Sequence, residues 1–421
     1  MKNLYKILVP VFAFIALCGC ERNNPPQGGN GGDIFIPSGN YIYFNVNPLS
    51  RGSLINESLP YDFSVVGYNY HSNWGTIEVQ AAQNAEITYE INGQVVPSFI
   101  GVFYDDDDTK IANKKGVQLV RYDNGVHKYT YEGSDNKDNY KEWNGNLTYA
   151  FFAWYPADLG FNTDAKKSDE TSIDPADYEG NPYIRYTLPI GEGARAAMKD
   201  VMTACKIDVT KYNGSSVNFD MQHRLAALDI YGNNIILLEA LQKAQPGLDY
   251  TGMTDDNTII TVENITGLTL TLPDIKSKVK IPLNTNDPTE VLEAEDKFTP
   301  TYNDFDCTNI SIPYYSTSDD MKNLMGDDKL ILIPQEENIH AILTIKYDVV
   351  VRVGGKVKLT IPYDFGVTDS KEAEDALTTT IKGLAEGLYH YLELTFTAHG
   401  VFLQAKVEET WNELDINYSF E

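Results

Sequence analysis

The sequence predicts an all-β protein made of two antiparallel β-sandwich domains in tandem, and three observations carry that expectation. Short runs of β-branched and aromatic residues recur between Gly, Asn, Asp and Pro along most of the chain. Aromatic residues make up 12% of it, with 28 Tyr, a side chain that suits a pleated, half-buried surface. The runs fall into two groups, split near residue 240 by the stretch with the best helical spacing. The length of 421 residues accommodates two domains of about 200 residues each, an ordinary size for all-β folds. No internal repeat points to a solenoid or a propeller.

Residues 1–20 read as an export signal and stand outside the fold. Lys2 and Lys6 supply the charged start and Ile7 to Leu17 the apolar stretch, which is short of the ~20 residues that span a bilayer. The stretch ends in Leu17-Cys18-Gly19-Cys20. This is similar to a bacterial lipoprotein signal, with Cys20 as the lipidated (palmitate-type) first residue of the mature chain. Residues 21–39, rich in Asn, Pro and Gly, read as a flexible tether.

The first domain is expected over 40–232. Its opening strand alternates Ile42, Phe44 and Val46 with polar neighbours, and Pro48 stops it before the exposed-looking Leu49-Ser50-Arg51-Gly52-Ser53. Further strands are expected at Phe63–Tyr70, Thr76–Ala81, Phe99–Tyr104, Val117–Tyr122, His127–Glu132 and Leu147–Tyr155. Val217–Met221 and His223–Tyr231 close the group. Residues 233–250 form a linker or short helix, with Ile235, Leu238, Leu241 and Gln242 near one face and Pro246-Gly247 as its stop.

The second domain is expected over 251–421. Its strands are Thr258–Val262, Leu268–Leu272, Ile310–Tyr315, Lys329–Ile333, Ala341–Val353 and Val357–Tyr363, and Ser370–Ala385 reads as a short helix or loop. Leu392–Phe396 and Val401–Val407 form a hairpin turned by Ala398-His399-Gly400. The chain then ends on an unbroken alternation in which Leu414, Ile416, Tyr418 and Phe420 share one face. A strand this regular at a free end either closes its own domain or is offered to another molecule.

The net charge of −27 excludes nucleic acid and an anionic membrane surface as main partners, because both need a basic footprint. Catalytic constellations are absent from the pattern. None of His71, His127, His223, His340, His390 and His399 falls in a two-histidine ligand motif or near a Gly-x-Ser-x-Gly elbow. The Gly-rich pieces lack the lysine and helix of a phosphate cradle. Asp105 to Asp108 lacks the alternating spacing of a calcium loop and reads as a solvated turn. Neither an enzyme, a metal site nor a cofactor is expected. After processing, Cys205 and Cys307 remain, and one disulfide between them is open. Trp154 lies in an apolar run and reads as core, while Trp74 and Trp143 sit among small polar residues and are the candidates for glycan stacking.

Five segments resemble the fimbrillin family of Bacteroidales surface-fibre subunits, in the family's order. They are Trp154-Tyr155-Pro156-Ala157, Lys199–Ala204, Val217-Asn218-Phe219 with His223–Leu228, Gly387–Leu394, and Ala405–Trp411. Thr203 and Cys205 depart from the family pattern, and Asn284 to Cys307 does not align with it.

The resemblance implies two transthyretin-like sandwiches with short helical insertions, exported as an outer-membrane lipoprotein to the cell surface. It implies assembly with other fimbrial subunits, as a homo- or hetero-polymer, by donor-strand exchange. An Arg-specific protease would cut at Arg51-Gly52 and release the strand of Ile42, Phe44 and Val46. The strand of Leu414, Ile416, Tyr418 and Phe420 from a neighbour would take its place. The competing reading is a monomeric surface glycan-binding lipoprotein that uses Trp74 and Trp143.

Overall fold

The computed structural model describes residues 40–46, 62–70, 88–91, 94–97, 101–103, 117–123, 128–131, 141–143, 148–162, 183–211, 216–285, 292–307, 309–315, 320–326, 329–367 and 375–408. Strands dominate, and the two α-helices among these residues, Ala194–Ala197 and Leu238–Ala244, are short. The all-β expectation therefore holds.

The N-terminal part centres on a six-stranded antiparallel sheet in the order Gln222–His223, Met202–Val209, Thr148–Tyr155, Phe63–Tyr70, Val117–Asp123, Lys128–Tyr131. Thr148–Tyr155 is nearly all apolar because both of its faces are covered. Tyr149, Phe151 and Ala153 join a core with Ile42, Phe44, Phe63, Val65 and Phe219. Ala150, Phe152 and Trp154 join a second core, shared with Ile281, Leu283 and other C-terminal residues.

Two sheets build the C-terminal sandwich. One runs Lys322–Asn323, Ala226–Asn234, Tyr389–Thr397, Gly400–Glu408, with Leu330–Leu332 also paired to Ala226–Asn234. The other runs Thr301–Tyr302, Thr258–Thr271, Ile339–Val353, Lys356–Phe365, with Leu377–Ile381 also paired to Ile339–Val353. Tyr347 from the second sheet meets Phe396 of the first edge-to-face at 4.7 Å and stacks on Tyr363 at 5.1 Å. The Asn234 amide donates to the carbonyls of Ile260 and Ile312, both at 3.1 Å, so a buried polar side chain ties the layers together.

A four-stranded sheet, Glu293–Phe298, Ile275–Pro282, Tyr183–Thr187, Phe161–Asn162, joins the two halves. Backbone pairing thus crosses the boundary expected at residue 232: Tyr183–Thr187 pairs with Ile275–Pro282, and Ala226–Asn234 pairs with Tyr389–Thr397, Leu330–Leu332 and Lys322–Asn323. Buried Arg224 pins the same junction. Its guanidinium donates to Thr203 Oγ1 at 3.1 Å and to the Pro282 carbonyl at 3.3 Å, and it pairs with Glu386.

Several local expectations change. Two pairings are parallel where an antiparallel sandwich was expected: Phe44–Val46 with Val217–Phe219, and Ala226–Asn234 with Tyr389–Thr397. Within the strand expected at Phe99–Tyr104, Gly101–Phe103 is a 3-10 turn that buries Phe103. Leu377–Ile381, expected in a helix or loop, is a strand beside Ile339–Leu343. The helix starts at Leu238, after Ile235, which is 43% exposed; its buried side chains are Leu238 and Leu241. Thr258–Val262 and Leu268–Leu272 merge into Thr258–Thr271, whose register breaks where Asn264 and Gly267 adopt positive φ. Ile310–Tyr315 makes isolated bridges through Ile312 and Tyr314. The unaligned stretch 284–307 supplies Glu293–Phe298, paired to Ile275–Pro282. The Leu392–Phe396 and Val401–Val407 hairpin is present as Tyr389–Thr397 with Gly400–Glu408. The strand expected at Thr76–Ala81 lies outside the described residues.

Asp229 is fully buried in the first C-terminal sheet. Tyr389 Oη donates to its Oδ2 at 2.8 Å and Asn323 Nδ2 at 2.9 Å. Burial nonetheless pushes its carboxyl up to about 6. A carboxyl raised in the folded state holds its proton more tightly there than in the unfolded chain. Its contribution is therefore complete below pH ~4 and is lost as pH rises through about 6. The loss amounts to about 3 kcal/mol for a shift of this size. Urea unfolding between pH 4 and 7.5 should show that slope, and D229N should flatten it.

Candidate assembly site

The chain's first described segment is held in a slot. Ile42 and Phe44 are 0% and 1% exposed, and Val46 is partly buried, so the alternation read from the sequence does bury one face. On one side Phe44, Asn45 and Val46 pair in parallel with Val217, Asn218 and Phe219, and the Val217 amide donates to the Tyr43 carbonyl at 2.9 Å. On the other side the Ile42 amide donates to the Lys141 carbonyl and the Trp143 amide to the Asn40 carbonyl, both at 2.8 Å. The slot therefore offers backbone partners along both edges.

Aromatic rings line its floor. Phe44 stacks on Phe219 at 5.6 Å and meets Phe151 and Phe103 edge-on at 5.3 and 5.9 Å. Ile42 and Phe44 together gain roughly 3–6 kcal/mol of gross burial. The backbone is attached through a three-residue parallel ladder and a bridge between Tyr41 and Glu142.

Trp143 is a wall of this site. It is 6% exposed, with its ring edge-on to Tyr149 at 5.0 Å and Phe151 at 6.0 Å. This corrects its assignment as an exposed glycan contact, since Asn144 and Gly145 next to it in sequence say nothing of the aromatic surface that covers the ring. Trp74, the other glycan candidate, lies outside the described residues. Trp154 is core at 1% exposure, and its Nε1 donates to the Leu159 carbonyl at 3.3 Å.

Two contributors to the slot were not assigned to it from sequence. The sequence predicts a strand at Phe103, and at Val217-Asn218-Phe219 a strand that carries part of the family resemblance, with no link from either to Ile42 or Phe44. A signal existed: Phe44-Asn45-Val46 and Val217-Asn218-Phe219 share an apolar-Asn-apolar pattern, and the Asn45 amide donates to Asn218 Oδ1 at 3.2 Å.

The remaining reactive groups are engaged elsewhere. His223 Nδ1 pairs with Asp200 Oδ2 at 2.7 Å. Burial lowers His390 to about 4, leaving its Nε2 to accept from the Ala385 amide at 3.3 Å. Cys205 and Cys307 are separate buried thiols, so the disulfide left open by the sequence is not formed; burial pushes the Cys307 thiol up to about 11. Among the described residues no group of three His, Cys, Asp or Glu side chains is placed to hold a metal. Cys20, Arg51, Gly52 and the final strand with Leu414, Ile416, Tyr418 and Phe420 lie outside the described residues.

No protein-family model matches the chain, and no curated protein matches it. Among solved structures it is similar to a fimbrial protein from Bacteroides vulgatus ATCC 8482, at 16% identity over 88% of this chain and 99% of that one, with a TM-score of 0.49. It is also similar to a candidate cell adhesion protein from Bacteroides uniformis ATCC 8492, at 12% identity over 88% and 98%, with a TM-score of 0.40. A third, from Bacteroides ovatus ATCC 8483 and of the same description, shows 13% identity over 87% and 96%, with a TM-score of 0.39.

Truncating Phe44 removes the ring on which the slot closes. F44A should cost the chain about 3–5 kcal/mol, read as a lower urea midpoint. A Trp143 fluorescence change should accompany that transition.

Proposed function

We propose that this chain is a structural or adhesive subunit of a cell-surface fimbrium, assembled by exchanging its first strand for the last strand of a neighbouring subunit. The observation that carries the reading is the slot: a segment with two fully buried side chains, set between backbone partners on either side and laid on an aromatic floor. In this reading the precursor is anchored at the outer membrane through acylated Cys20. An Arg-specific protease cuts between Arg51 and Gly52, which lie between Val46 and the strand that begins at Phe63. The strand of Ile42, Phe44 and Val46 then leaves.

Physical chemistry supports the exchange. An emptied slot exposes Phe103, Phe151 and Phe219 together with unpaired backbone groups, which favours strand addition from another chain. Leu414, Ile416, Tyr418 and Phe420 repeat the two-residue period of the segment they replace. Their burial is worth roughly 6–12 kcal/mol gross, before ordering costs. That exceeds what Ile42 and Phe44 contribute. The contact is head-to-tail and does not close on itself, so it extends into a filament.

R51A should leave a full-length, lipid-anchored monomer and no fibres. The check is the first residue of the surface protein, acylated Cys20 against free Gly52, together with electron microscopy; normal fibres from R51A would overturn the reading. Deleting Leu414–Glu421 should leave the melting transition of the monomer in place and stop addition of the next subunit. Unfolding of that truncated monomer would instead assign the strand to its own domain.

A further inference from the structure

The strand Gly400–Glu408 ends its sheet. Among the described residues it is hydrogen-bonded on one side only, to Tyr389–Thr397. Leu377–Ile381 of the facing sheet lies close to it without pairing, so the nine-residue edge keeps N–H and C=O groups that no described strand pairs; proteins usually blunt such edges with Pro, bulges or several charges. This one has no Pro, and its register with its neighbour runs unbroken from Tyr389–Glu408 to Thr397–Gly400. Its charged residues, Lys406 and Glu408, cancel, and Lys406 is drawn onto Glu393 of the neighbouring strand. Phe402 and Val407 on it are 66% and 50% exposed.

We propose that this edge pairs antiparallel with the same edge of a second copy, centred on Gln404. That is the one symmetric register that pairs every residue of the strand. Gln404 meets the partner's Gln404, Leu403 the partner's Ala405, Phe402 the partner's Lys406, Val401 the partner's Val407, and Gly400 the partner's Glu408. No like charges face one another.

The faces agree as well. Val401, Leu403, Ala405 and Val407 stand opposite Phe396, Leu394, Leu392 and His390 on the sandwich side, and Phe402, Gln404 and Lys406 share the outer side. The exposed Val407 then lies opposite an apolar neighbour, and the exposed ring of Phe402 lies beside the alkyl stem of a Lys406 whose ammonium stays on Glu393. Such a contact is isologous and closes as a pair, so it ties two subunits side by side and does not lengthen a filament. One edge pair buries less than the ~1,000 Å² of a durable interface. It is therefore transient between monomers and becomes strong where subunits repeat along a polymer. It holds whether or not the first strand is exchanged.

Cysteine crosslinking tests it on the full chain, with Cys18 and Cys20 replaced by Ser and the buried Cys205 and Cys307 left in place. Cβ atoms of directly opposed residues lie about 4.5–5.5 Å apart, within a small adjustment of disulfide geometry. Q404C should form a disulfide-linked dimer under mild oxidation. F402C alone should not, while a mixture of F402C and K406C should. Adding F402K to Q404C should abolish the dimer by opposing two lysines, and adding F402E should keep it. No Q404C dimer, or equal behaviour of F402K and F402E, overturns the proposal. So does concentration-independent amide protection of Gly400–Glu408 that disappears on removing residues 409–421, since the chain's own end would then cover the edge.

Discussion

The strand Thr148–Tyr155 is buried on both faces, and the rest of the N-terminal half depends on that double burial. Tyr149, Phe151 and Ala153 form the floor on which the first strand lies, while Ala150, Phe152 and Trp154 pack into the core shared with the C-terminal sandwich. Its backbone is hydrogen-bonded on both sides, to Phe63–Tyr70 and to Met202–Val209. An interior packed to this density transmits strain from one face to the other. It also means that the floor of the slot is held independently of its occupant. Losing the first strand uncovers one face of a strand that three other contacts keep in place.

The junction between the halves pairs an apolar core with buried arginines. Arg224 reaches Thr203 in the N-terminal sheet, the Pro282 carbonyl in the bridging sheet and Glu386 ahead of Tyr389. Arg195 does similar work nearby, donating to the Met325 carbonyl at 2.6 Å and to the Asp304 carbonyl at 2.6 Å, with Asp304 Oδ1 at 3.2 Å from its Nε. Desolvating a guanidinium is expensive unless most of its donors are matched. Matching them demands one particular arrangement of the joined segments, so these residues act on geometry more than on net stability. Asp229, by contrast, stays raised although Tyr389, Asn323 and the Ile230 amide all donate to it, because burial outweighs them.

Two backbone edges meet opposite treatments. The edge at Val217–Phe219 is covered by the first strand and lies against aromatic side chains. The edge at Gly400–Glu408 has no partner beyond Tyr389–Thr397 among the described residues and carries the exposed Phe402. A covered edge above an apolar floor rewards replacement by a better-fitting strand, while an open edge with balanced charges suits reversible contact.

Local pattern determined much of this protein. Runs of β-branched and aromatic residues located Phe63–Tyr70, Thr148–Tyr155 and most of Ile339–Val353, period-two alternation located the closing hairpin, and Ile42 and Phe44 are buried as their spacing requires. It could do so because a strand's alternation states directly which side chains share a face. What covers that face is a non-local fact. Only the tertiary structure decided that Asn45 lies beside Asn218, that Ala226–Asn234 joins the sheet of Tyr389–Thr397, that Leu377–Ile381 is a strand, and that Trp143 is enclosed by Tyr149 and Phe151. Parallel pairing needs a long crossover, and a tryptophan among small polar residues shows no local sign of burial. In both cases the deciding term is apolar surface brought from far along the chain, which no window of neighbouring residues contains.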